Sequence, residues 1–204
     1  MANTCCDSGT GFDGASAGFR RALVAVIVIN AAMFVIETAS GLYAQSMALR
    51  ADALDFLGDT LTYAITLLVI GQSLRRRAGA ALVKGASLAL MGIWVFGATV
   101  YQVFVAGDPN PLIMGSIGLL ALAANLASVL LLMRWRDGDA NVRSVWLCSR
   151  NDAIGNIAVV VAAAGVFSTA SAVPDLLVAA AISGLFLYSA FRIVVQARAE
   201  LAPG

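Results

Sequence analysis

Histidine is absent from this chain of 204 residues. That absence excludes Ser-His-Asp triads, His-ligated zinc clusters and histidine proton relays. Charge is scarce too: Asp, Glu, Lys and Arg make up 12% of the residues, against roughly 25% in a soluble domain. A water-facing surface cannot be built from so few charges. The net charge is only +1, so no basic excess points to nucleic acid as a partner. Three cysteines, Cys5, Cys6 and Cys148, cannot supply a disulfide framework. What the chain has in abundance is apolar sequence, at 60% hydrophobic residues and a mean hydropathy of +0.87. It reads as an all-α integral membrane protein.

A helix needs about 20 apolar residues to cross the hydrocarbon core. Six segments qualify: Ala22 to Leu42, Met47 to Gln72, Ala81 to Val105, Pro111 to Met133, Val145 to Phe167 and Pro174 to Val195. Arg75-Arg76-Arg77, Gly107 to Pro111, Arg134 to Arg143 and Ser168 to Pro174 read as breaks between them. Basic residues set the expected orientation. Arg20 and Arg21 precede the first span; Arg75 to Arg77 and Lys84 follow the second; Arg134, Arg136 and Arg143 follow the fourth; Arg198 trails the sixth. Both termini are therefore expected in the cytoplasm, with the chain multi-pass in the inner (plasma) membrane. The Gly/Ser-rich start has neither the charged nor the apolar region of a cleaved signal, and reads as a mobile tail.

Against that background the acids stand out. A carboxylate at mid-membrane costs at least ~2.5–3.5 kcal/mol on insertion scales, which makes it a functional candidate. Glu37 lies in the first span, Asp52, Asp55 and Asp59 in the second, and Asp152 in the fifth. Asp55 and Asp59 are about 40° apart on a helical wheel, with Asp52 on the same stripe. Cys148, Asp152 and Asn156 repeat at intervals of four on the fifth span. Two helices thus each offer a pair of donors at i and i+4. Facing one another, Asp55, Asp59, Cys148 and Asp152 supply four donors, a number that suits Zn²⁺ and Cd²⁺, and a thiolate favours softer ions. The competing reading is that these polar groups only join helices by hydrogen bonds. Three crowded carboxyls in a low dielectric cannot all be ionised, and a divalent cation drives their protons off. Exchange of protons for metal at one site is a basis for antiport.

The stretch Asn30 to Asp59 carries Glu37, Gly41, Ser46, Ala48-Leu49 and Ala51-Asp52-Ala53, followed by the acid pair. It resembles the first and second spans of the cation diffusion facilitator family. Leu147 to Ala163 resembles that family's second ligand helix, Pro174 to Val194 its last helix, and Asn125 a polar position of its fourth; together the likeness runs from Arg20 to Val195. The resemblance implies a homodimeric metal/proton antiporter that exports Zn²⁺ or Cd²⁺ by alternating access, with Co²⁺, Fe²⁺, Ni²⁺, Mn²⁺ and Hg²⁺ as further candidates. It implies metal ligands at Asp55, Asp59, Cys148 and Asp152, and no cofactor besides the transported ion. The expected organisation is a flexible tail over 1–19, a six-helix cation-efflux domain over 20–196 and a short tail over 197–204, without the family's C-terminal domain. The departures are Asp55 and Cys148 at positions where zinc-transporting members often have His, and Arg50 and Arg150 where apolar residues are usual.

Several residues carry secondary expectations. Glu37 is read either as a proton carrier or as a hydrogen-bonding partner of neighbouring helices. Asp52 is placed near the outer end of its helix, shaping the exit path or capping the helix N-terminus. Asn125 and Asn156 are read as supports or alternate ligands beside the site. Cys5 and Cys6 are either a capture point for soft metal or idle thiols. Gly92, Gly97 and Gly184 are read as close-packing positions, and Lys84 as a topology determinant. Arg150, about 160–200° from the ligand stripe, is expected to pair with an acid or to snorkel. Two rival functions are an Asp-dependent membrane phosphotransferase and a non-transporting subunit. The first requires Gly after the second Asp, and here Phe56 follows Asp55.

Overall fold

The computed structural model describes residues 16–70, 72, 74–105, 108–136 and 140–201. Cys5, Cys6 and most of the N-terminal tail lie outside the described residues. The described chain folds into six α-helices and no strands: α1 (Ala17–Tyr43), α2 (Met47–Val69), α3 (Leu74–Val105), α4 (Pro111–Leu132), α5 (Ala140–Thr169) and α6 (Val173–Leu201), with a single 3₁₀ turn at Met133–Trp135. The helices run past the apolar segments at several ends. Arg75, Arg76 and Arg77 stand in the first turn of α3 and not in a break, and α5 begins inside the expected fourth connection. At the edges, α1 already starts at Ala17 and α6 ends at Leu201, beyond the domain limits of 20 and 196.

Local chemistry explains the starts. Ser16 Oγ accepts from the Phe19 amide at 3.2 Å, and Ser46 Oγ accepts from the Leu49 amide at 3.1 Å. Asn110 Oδ1 accepts from the Leu112 and Ile113 amides at 3.1 and 3.2 Å. Each satisfies backbone donors that the first helical turn leaves open. Pro111 follows Asn110 at a position where its missing N–H costs nothing.

Five of the six helices are long and apolar enough to cross a membrane; α2 is the exception, because Arg50, Asp52, Asp55 and Asp59 interrupt it. The packing accounts for that. The helices pair most extensively as α1 with α2, α3 with α6 and α4 with α5, and α2 touches all five others. Its charges are thereby placed against protein and away from lipid. Large apolar side chains point the other way: Val35, Leu68, Leu90, Phe104 and Leu112 are exposed on the outside of the bundle, as a bilayer solvent requires.

Small residues serve close contact on the inside. A Cβ on Gly92 would stand 2.9 Å from Leu187 Cγ and 3.1 Å from Phe186 Cβ, so only glycine lets α3 and α6 approach this closely. Ser183 Oγ donates to the Gly92 carbonyl at 2.9 Å across the same contact. Gly97 and Gly184 do not share that role: nothing lies within 4 Å of a Cβ at either, and both face outward.

Candidate metal site

Asp52, Asp55, Asp59, Tyr63 and Thr66 form one stripe along α2, at helical intervals of three and four. It faces Cys148, Ser149, Asp152 and Asn156 on α5. The Asp152 carboxyl adjoins those of both Asp55 and Asp59, and the Cys148 thiol lies in electrostatic range of the same two acids. Asp59 Oδ2 and Asp152 Oδ2 are buried and accept no hydrogen bond. Cys148 is a free, half-buried thiol. As it stands, no group of three or more Cys, Asp or Glu side chains among the described residues forms a metal cage. The donors meet across a helix–helix seam, oxygen against oxygen, where a bound cation would satisfy acceptors that nothing else satisfies.

Tyr63 closes the seam on one side. It is fully buried, its hydroxyl lies 3.3 Å from Ser149 Oγ and 3.4 Å from the Val145 carbonyl, and it adjoins Asp59. Beyond it, Lys84 Nζ donates to Thr66 Oγ1 at 2.9 Å.

On the other side runs a buried polar chain. Asn125 Nδ2 donates to Asn156 Oδ1 at 2.8 Å, and Asn156 Nδ2 donates to Asp52 Oδ2 at 2.6 Å. Asp52 in turn adjoins Glu37, which is 0% exposed and has no donor on either carboxyl oxygen. Hydrogen bonds thus tie α2, α4 and α5 together, with Glu37 of α1 beside them.

The profile of the cation efflux transmembrane domain matches residues 23–202 of this sequence. The chain belongs to the cation efflux, or cation diffusion facilitator, family. Among curated relatives, the zinc transporter ZitB of Pectobacterium atrosepticum is 26% identical over 203 aligned positions, covering 92% of this chain and 62% of its own length. The zinc transporter ZitB of Yersinia pestis is 27% identical over 201 positions, covering 91% and 63%. The chain thus spans less than two thirds of the length of those relatives.

Some expected roles change in the folded protein. Asp52 is not the cap of α2: it lies in the second turn and is 3% exposed, held by Asn156. The capping carboxylate is Asp175, from the first turn of α6. Its Oδ1 accepts from Ser46 Oγ at 2.6 Å and from the Ala48 amide at 3.1 Å, and its Oδ2 accepts from the Met47 amide at 2.7 Å. Asn156 bonds Asp52 across the α2–α5 seam and Asn125 on α4. Among the described residues Arg150 pairs with no acid; its guanidinium lies over the Trp146 ring at 5.4 Å, a cation–π arrangement, and donates to Asn151 Oδ1 at 3.2 Å. Arg50 Nε donates to the Gly41 carbonyl at 3.1 Å. Lys84 reaches into the bundle instead of standing only as a flanking charge.

Asp175, Tyr63, Thr66 and Lys84 were not legible as site neighbours from their own surroundings. Tyr63 and Thr66 continue the Asp55–Asp59 stripe, so the spacing carried a signal. Asp175 and Lys84 have their partners on other helices, and spacing says nothing about those.

Proposed function

We propose that this cation efflux protein exports divalent transition-metal ions from the cytoplasm in exchange for protons, with Zn²⁺ and Cd²⁺ as the first cargo. The observation that carries this reading is the seam between α2 and α5. There, the Asp152 carboxyl adjoins those of Asp55 and Asp59, the Cys148 thiol lies in their electrostatic range, and Asp59 Oδ2 and Asp152 Oδ2 are buried without donors. Both relatives described above are zinc transporters, which supports zinc as the substrate. Asp55, Asp59, Cys148 and Asp152 are the proposed ligands. Metal entry displaces the protons that the crowded carboxyls otherwise retain, and metal release lets protons return. A homodimer in the inner membrane, with both termini cytoplasmic, completes the proposal.

The test is metal-driven proton flux in sealed proteoliposomes with a pH-sensitive dye trapped inside. Zn²⁺ or Cd²⁺ added on one face is expected to move protons the other way. Metal flux without proton movement would overturn the exchange, and no flux with any divalent ion would overturn transport.

Sulfur at Cys148 sets a further expectation. Replacing it by a hard oxygen donor in Cys148→Asp should shift preference from Cd²⁺ towards Mn²⁺, by about tenfold or more in relative flux, since groups that only support a ligand are already worth about 10–100-fold. Unchanged Cd²⁺-over-Mn²⁺ selectivity would mean that Cys148 does not touch the cargo.

A further inference from the structure

We propose that Lys84 is a tethered cation at the cytoplasmic approach to the α2–α5 seam, where it competes with the incoming divalent ion for the negative charge of Asp59. The proposal rests on the reading of that seam as the cargo site.

Lys84 stands on α3, three residues into the apolar span that begins at Ala81. Its Nζ is held by Thr66 Oγ1 at 2.9 Å, and Thr66 is 1% exposed. Thr66 lies seven residues, two helical turns, from Asp59 on the same face of α2. The ammonium acts electrostatically on both Asp59 and Cys148. Three arginines within the helices are engaged elsewhere: Arg50 with the Gly41 carbonyl, Arg150 with the face of Trp146 and Arg192 with the ring and hydroxyl of Tyr188. The backbone beneath Lys84 is pinned, because a Cβ at neighbouring Gly85 would stand 2.8 Å from Val194 Cγ2. α3 thus holds the lysine at this level while its flexible stem keeps the head free to move.

An ammonium has three donors, and Thr66 takes one. With Tyr63 between it and the seam, the ammonium acts on the carboxyls through space, not by hydrogen bonding. Inside a low-dielectric bundle a neighbouring positive charge opposes a divalent ion. Three carboxyls and a thiolate would otherwise bind Zn²⁺ or Cd²⁺ too tightly for a carrier, which must let its ion go. Lys84 makes the site weaker and its release faster.

The experiment is calorimetric titration of Zn²⁺ and Cd²⁺ into the full chain in detergent, for wild type, Lys84→Met, Lys84→Arg and Thr66→Val, with flux measured on the same proteins in liposomes. Lys84→Met is expected to bind about tenfold tighter or more, with a lower KM and a lower kcat. Lys84→Arg keeps the charge and should restore wild-type affinity. Thr66→Val frees the ammonium to shift towards the carboxyls and should weaken binding. Lys84→Met affinity equal to or weaker than wild type, beside normal wild-type binding, overturns the role of Lys84 alone. Thr66→Val supplies the independent reading if Lys84→Met does not fold: unchanged or tighter binding there overturns the proposal. A wild type that binds no divalent ion overturns the cargo site and this inference with it.

Discussion

Asp59→Ala is expected to abolish metal flux while leaving the protein inserted and helical. Asp59 is one of two acids on α2 that adjoin Asp152 on α5, and its Oδ2 is buried without a donor. Removing it takes away one of four proposed donors and one negative charge. Loss of groups that only support a metal ligand already costs 10–100-fold in affinity or activity, so loss of the ligand itself should exceed about 100-fold. The fold has little reason to suffer, because an uncompensated intramembrane carboxyl is a burden on insertion, not an aid. Asp152→Ala should behave in the same way from the opposite helix. Membrane fractionation together with flux in proteoliposomes checks both halves of the expectation. Near-normal flux in either variant would remove the α2–α5 seam from the transport pathway.

Asp175→Ala should strike stability first and transport second. The carboxylate is 1% exposed and accepts from Ser46 Oγ and from the amides of Met47 and Ala48. Alanine leaves two buried amides and a hydroxyl without their acceptor, at a cost of about 2–4 kcal/mol. It also removes a negative charge from the positive end of α2. A marked fall in the thermal unfolding midpoint in detergent is the expected readout. Asp175→Asn keeps one acceptor oxygen and should fall about half as far. Ser46→Ala, which loses a conventional cap, should cost about 1 kcal/mol. An Asp175→Ala protein as stable as wild type would show that the α6–α2 link does not hold the helix start.

How much of this was written in the sequence depends on whether partners lie within one helix or across two. The spans were legible because lipid demands long apolar runs, and the stripes on α2 and α5 were legible because a helix repeats every 3.6 residues. Residues such as Arg75 to Arg77 misled about the start of α3, since a helix continues into water while apolar composition stops at the interface. Gly97 and Gly184 read like Gly92, yet only Gly92 meets a neighbour; composition does not say which face of a helix a small residue occupies. Asp52 looked like a cap from its distance to the helix start, but the carboxylate that joins Ser46 in capping α2 is Asp175, more than a hundred residues away. Likewise the chain from Asn125 through Asn156 to Asp52 joins three helices, and no local pattern announces it.

The helix pairing has a mechanical consequence. α2 is bound most extensively to α1, and α5 to α4, whereas α2 and α5 touch each other lightly. The proposed ligands therefore belong to two different stiff hairpins and meet only at the joint between them. The hairpins also meet more broadly through α1 and α4 and through the hydrogen bonds from Asn125 to Asn156 to Asp52, so they stay joined there while the lightly packed ligand end of the α2–α5 seam parts with no helix bending or unwinding. On the proposed reading, the ion itself is the clasp: with it in place the two hairpins are drawn together, and when it leaves they are free to rock apart.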